Sequence, residues 1–154
     1  MSLHALSPLD GRYADLTGPL QNYFSEFAYL RDRVRVELDF LSALSKTGLI
    51  SPVSFSLNTF TDKDALKIQE FEKNTRHDVK AIEYFLRDKI LESDSLLSEN
   101  QQQAIGLQSW IHFGLTSEDV NNIAQAISLR DSRDKVLLPA LDDLISSLRY
   151  FAKK

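Results

Sequence analysis

Three short segments hold the residues best suited to bind an anion: Ser7-Pro8-Leu9-Asp10-Gly11-Arg12-Tyr13, Thr75-Arg76-His77-Asp78-Val79 and Leu115-Thr116-Ser117-Glu118-Asp119-Val120-Asn121-Asn122. Each lies at a turn signal or at the expected start of a helix. Backbone N–H groups point outward there, and the helix macrodipole favours negative charge. Arg12 offers a planar fork that matches phosphate, and Tyr13 adds a hydroxyl beside the Asp10-Gly11 turn signal. His77 carries an imidazole that donates to an anion, or accepts when neutral. Thr116 and Ser117 set two hydroxyls after Gly114, where a carboxylate can accept several bonds at once. Three such ends in one chain fit a ligand bearing several negative charges.

Each segment also has a plain structural reading. Thr75 suits a helix N-cap, with Asp78 three residues on as the acid of a capping box, and Thr116 stands in the same relation to Asp119. Asp10-Gly11-Arg12 reads equally as an exposed turn. His77 has no expected capping role, and its alternative is an ordinary surface histidine. His112, between Ile111 and Phe113, reads as a packed, hydrogen-bonded core histidine. It has no second ligand at metal spacing, so no metal site is expected. A phosphate-binding glycine loop, a G-x-S-x-G elbow and a dinucleotide fingerprint are all absent.

The elements that must position these residues read as all-α. Phe24, Phe27, Leu30, Val34, Leu38, Leu41 and Leu44 recur every three or four residues and predict a helix from about Tyr23 to Lys46. Arg31, Arg33, Arg35, Glu37 and Asp39 form its expected solvent face, and Gly48 its stop. Residues 49–60 read as a loop around Pro52. A second helix is expected from a cap at Thr61 or Asp62 to about Asn74. A third should run from Thr75 to about Leu91, with Val79, Ile82, Leu86 and Ile90 on one face. Residues 92–100 form a Ser- and acid-rich connector, and Gln101 to Phe113 a short helix carrying Trp110. The last helix begins at Thr116 or Ser117 and runs to the end. Its first stripe is Val120, Ile123, Ala124 and Ile127; its second is Leu137, Leu141, Leu144, Ile145 and Leu148. Pro139 between the stripes should kink or re-aim it. Residues 1–114 are expected to form a helical domain and 115–154 the start of a long-helix bundle. No Gly, Asn or Pro closes the last helix, so a truncated chain is expected.

The 154 residues are 43% hydrophobic and 26% charged, an ordinary globular composition. A formal net charge of -4 argues against a general nucleic-acid binder. With no cysteine, disulfides, thiol catalysis and Cys-ligated zinc are excluded, and a reducing, cytoplasmic setting fits. No apolar run approaches the roughly 18 residues of a membrane span, and no signal-peptide pattern is present.

Taken together, the segments resemble the N-terminal region of the adenylosuccinate lyase family, within the fumarase/aspartase superfamily. The opening Ser7-Pro8-Leu9-Asp10-Gly11-Arg12-Tyr13 is similar to that family's S-P-x-D-G-R-Y. Thr75-Arg76-His77-Asp78-Val79-Lys80-Ala81-Ile82-Glu83-Tyr84-Phe85-Leu86 is similar to T-[NR]-H-D-V-K-A-V-E-Y-F-L. Ile111-His112-Phe113-Gly114-Leu115-Thr116-Ser117-Glu118-Asp119-Val120-Asn121-Asn122 is similar to the superfamily's first signature. The resemblance implies β-elimination of fumarate from adenylosuccinate, and from the succinyl-carboxamide intermediate of purine synthesis, with no metal or organic cofactor. It implies that Arg12 and Tyr13 hold the nucleotide phosphate. Arg76, His77 and Asp78 would line the pocket, with Asp78 both capping its helix and orienting His77. Thr116 and Ser117 would donate to a succinyl carboxylate. The family's general acid, a His in a T-H-x-Q-like segment, and its general base, a Ser on an S-S-x-M-P-x-K-x-N-P loop, do not occur in these residues. No catalytic residue is therefore assigned to this chain, and alone it is expected to be inactive. The family also implies a homotetramer whose sites draw on three subunits. A non-enzymatic helical scaffold or regulatory module built on the same fold is the alternative.

Overall fold

The computed structural model describes residues 6–50, 59–92 and 106–154. Every regular element among them is helical, as the periodicity requires. The expected loop 49–60 and connector 92–100 fall largely outside the described residues. Two compact units divide the chain, Leu30–Gln125 and Met1–Tyr29 with Ala126–Lys154. No helix among the described residues is long and apolar enough to cross a membrane.

The second of these units holds α1 (Ala14–Thr17), a 3-10 turn (Gly18–Leu20) and α2 (Gln21–Phe24); α3 (Glu26–Lys46) follows them in the chain and lies in the first unit from Leu30 on. The helix expected from Tyr23 is thus interrupted at Ser25. Its backbone is extended (φ -76°, ψ 161°), and its Oγ accepts the Ala28 N–H at 3.2 Å. A serine that caps the next helix ends the previous one, because the Ncap residue must leave helical φ/ψ. Phe24 lies before that break and is exposed.

The unit Leu30–Gln125 is built on α3. Leu30, Val34 and Leu41 are buried as the stripe predicts, but Val36, Asp32, Arg33 and Glu37 are buried too. The expected solvent face is therefore wrong at Arg33 and Glu37. Charges persist in an interior only where partners satisfy them, and both have such partners, described below. In the same unit α4 (Asp62–Thr75) and α5 (Asp78–Glu92) pack on each other as a helical hairpin. Thr61 caps α4 in a full capping box with Asp64. Val79, Ile82, Phe85, Leu86 and Ile90 bury the expected face of α5, and Phe60 meets Phe85 edge to face with centroids 6.3 Å apart. Burying one such side chain is worth about 1.5–3 kcal/mol. Lys67 reaches Asp88 and Glu92, and Lys89 reaches Asp64, across the hairpin.

The segment expected as a helix to Phe113 is helical only through 108 and then turns. His112 (φ 61°) and Gly114 (φ 71°) both enter the left-handed region, which a continuing helix cannot hold. Trp110 packs its ring at an inclined angle on Phe113 across this turn, centroids 4.5 Å apart. A Cβ on Gly114 would meet nothing within 4 Å, so only backbone strain opposes it. Gly114→Ala is expected to cost about 1–2 kcal/mol, measured as a lower urea midpoint. An unchanged midpoint would refute that origin.

The final helix starts as α6 (Ser117–Ser132), widens into a π-helical turn (Arg133–Leu137) and continues as α7 (Leu138–Ala152). Leu138 N–H donates to the Arg133 carbonyl, one residue further back than in an α-helix. Pro139 explains the widening. It lacks an N–H, and its ring crowds the carbonyl four residues before it. Val120 and Ala124 of the first stripe are buried, but Ile123 is exposed. Leu137, Leu141, Leu144, Ile145 and Leu148 of the second are 43% to 60% exposed.

Candidate anion-binding site

In the unit Leu30–Gln125, the starts of α5 and α6 bring His77 and Ser117 together. Arg76 stands between α4 and α5 in the left-handed region (φ 51°), with its N–H donating to the Glu72 carbonyl at 2.7 Å. This reversal makes Thr75 the last residue of α4 rather than the cap of α5. The Thr75 hydroxyl instead accepts the His77 N–H at 3.3 Å and donates to the His77 carbonyl at 3.0 Å.

The cap of α5 is His77 itself. Its Nδ1 accepts the Lys80 N–H at 3.1 Å. A ring nitrogen that accepts carries no proton, so the neutral imidazole holds its proton on Nε2. Nε2 lies 3.5 Å from the Ser117 Oγ. The ring is half exposed, so a ligand can reach it. His77 therefore has the capping role that the sequence did not suggest, and its free edge is a donor.

Asp78, expected as the capping acid, points elsewhere. It pairs with Arg33 Nη2 and accepts its neighbour Val79's N–H at 2.8 Å. Burial pushes its carboxyl upward, but the Val79 N–H and the Arg33 charge outweigh that and hold it below the usual carboxylate range. Asp78 Oδ1 lies 3.7 Å from His77 Nδ1.

Thr116 caps α6 as one reading of the sequence had it. Its N–H and hydroxyl both donate to Asp119 Oδ2, at 2.7 and 2.8 Å, and the Asp119 N–H returns to the hydroxyl at 3.4 Å. Those two Thr116 donors lower the Asp119 pKa. Ser117 is left facing His77.

Arg76 is exposed beside this pair. Arg12 and Tyr13 belong to the other unit. There Tyr13 N–H donates to the Pro8 carbonyl at 2.8 Å, and the Arg12 guanidinium lies 5.7 Å from the Tyr13 ring centre. Ser7 and Asp10 close the turn before them through bonds of 2.8 and 3.0 Å.

Sequence reading missed two buried charges that support the site. Arg33 Nε donates to Asn121 Oδ1 at 2.9 Å while Nη2 pairs with Asp78. Glu37 is fully buried, with Oε1 2.6 Å from His112 Nδ1 and Oε2 accepting the His112 N–H at 3.1 Å. His112 is thus the hydrogen-bonded histidine expected. The available signal was Val36, an apolar residue between Arg35 and Glu37 on what looked like a polar face. Among the described residues, no group of three His, Asp or Glu side chains is placed to hold a metal ion.

A family model described as Lyase matches residues 42–154. The chain is similar to the adenylosuccinate lyase of Haemophilus influenzae (41% identical) and to that of Buchnera aphidicola subsp. Acyrthosiphon pisum (40%). Each of these alignments covers 99% of this chain and 34% of the relative. The adenylosuccinate lyase of Escherichia coli K12 is 38% identical, over 98% of this chain and 34% of its own length. The chain spans about a third of the length of the curated relatives it matches.

Proposed function

We propose, since this chain belongs to the lyase family of the fumarase/aspartase superfamily, that it is the substrate-binding N-terminal part of an adenylosuccinate lyase. The reaction is β-elimination. A base removes the proton beside a carboxylate, an acid protonates the departing nitrogen, and the carbanion-like transition state needs charge stabilisation. The supporting observation is the His77–Ser117 pair at two helix starts, with a ring N–H and a hydroxyl 3.5 Å apart. Both groups donate, and the α6 N-terminus adds its dipole, so the pair suits a succinyl carboxylate. Arg76, the exposed residue before His77, lines the substrate site with it. Asp78 orients His77 indirectly, by anchoring the first residue of α5 to Arg33. Thr116 is bonded to Asp119, so its donation to a carboxylate exchanges one anion for another. Arg12 and Tyr13 hold the nucleotide phosphate. The general acid and base come from outside these residues.

Adenylosuccinate and the succinyl-carboxamide intermediate of purine synthesis are the substrates, with no metal, cofactor, nucleic acid or membrane taking part. The active assembly is a cytoplasmic homotetramer. The exposed stripe of α7 supports that reading, because an apolar face of this length calls for a partner helix. Residues 1–114 form the N-terminal domain and 115–154 the beginning of the bundle.

A chimera tests this. This chain replaces the matching third of the Escherichia coli relative, and fumarate release from adenylosuccinate is followed. The chimera is expected to turn over, and the isolated 154-residue chain is not. A folded, assembled chimera without turnover would overturn the reading and leave the helical scaffold in its place.

A further inference from the structure

We propose that Arg33 is a positioning residue that sets the spacing between the starts of α5 and α6 and so holds the His77 ring against Ser117. Its side chain is 5% exposed and grips two elements at once. Nη2 takes Asp78, the first residue of α5 and the neighbour of His77. Nε takes Asn121, one turn into α6 and on the same face as Ser117. The partners lie 45 and 88 residues away in sequence, so the fork ties together segments that no local interaction joins. A planar guanidinium fixes both directions together, and an ammonium cannot.

The placement of the charge argues for this role. An apolar side chain would bury at this depth without the desolvation cost of a guanidinium. α3 already carries Leu30, Val34 and Leu41 into the core. Both groups that Arg33 bonds flank the His77–Ser117 pair. One turn along α3, Glu37 holds the turn that leads into α6 through His112. The consequence for substrate binding rests on the reading of His77 and Ser117 given above; the positioning itself does not.

The experiment is NMR on the labelled 154-residue chain, reading the cross-peak between the His77 ring and the Ser117 β-protons. Arg33→Lys keeps a charge for Asp78 but drops the Asn121 arm. Asn121→Ala drops the same arm from the other side and improves helix propensity, so it decides the matter if Arg33→Lys does not fold. Both are expected to lose the cross-peak and to shift the His77 ring nitrogens. Leu41→Ala, a core truncation on the same helix, is expected to lower stability and keep the cross-peak. A folded Asn121→Ala chain with the cross-peak intact would overturn the proposal, and so would its loss in Leu41→Ala. Loss of the cross-peak in a chimera that still turns over at the full rate would uphold the positioning role and overturn the substrate role of the pair.

Discussion

Glu37→Ala is expected to destabilise the chain by about 2–3 kcal/mol, the upper part of the range for leaving a buried donor without its acceptor. Both carboxylate oxygens are committed to His112, one to the ring and one to the backbone N–H. Truncation leaves that N–H without its acceptor and opens a void beside α3. It also releases a non-glycine residue held at φ 61°, which is unfavourable on its own. Urea unfolding of the purified chain measures the loss. A change below about 1 kcal/mol, the scale of an ordinary exposed pair, would show that the clamp is not holding the turn.

Glu37→Gln separates charge from shape. Burial pushes the Glu37 carboxyl up, and the bonds from His112 offset only part of that rise. A folded pKa above the unfolded value means that the native state keeps its proton longer than the unfolded chain. The contribution is therefore fully present below the ordinary glutamate range and is lost as pH rises through the raised folded value. Glutamine does not titrate. The stability difference between the two proteins is expected to move in favour of Gln as pH rises above the ordinary glutamate range. A pH-independent difference would contradict the raised carboxyl.

What was legible in the sequence is what short-range chemistry decides. The stripe of α5, the Thr61 cap, the Gly48 stop (φ 78°) and the disturbance at Pro139 each depend on residues within a turn or two. The His77–Ser117 pair was approachable because both residues sit at helix starts with recognisable composition. Periodicity puts Arg33 and Glu37 on the solvent face because the partners that bury them lie 45 to 88 residues away. A charge on a helix face says nothing by itself about such partners. Composition points to Thr75 as the cap of α5 because histidine is not among the favoured N-cap types. The helix to Phe113 failed because His112 takes a left-handed conformation that a non-glycine residue rarely adopts.

His77→Asn is expected to split the two roles of His77. Asparagine is among the best N-caps, and its side-chain oxygen can accept the Lys80 N–H that Nδ1 now takes. It is too short to replace the Nε2–H that faces Ser117. The unfolding midpoint of the 154-residue chain is therefore expected to stay level or rise. In the chimera, fumarate release is expected to fall about 10²-fold or more, as when one preorganised donor is removed from a developing anion. His77→Ala removes both roles, so it adds a cap loss of about 0.5–2 kcal/mol to the same loss of turnover. The pairing of outcomes is the test. If Asn destabilises the chain as much as Ala does, Nδ1 is not the cap, and nothing then fixes the ring proton on Nε2. If Asn keeps full turnover, the cap stands, and His77 is a structural residue at the mouth of a site that others serve.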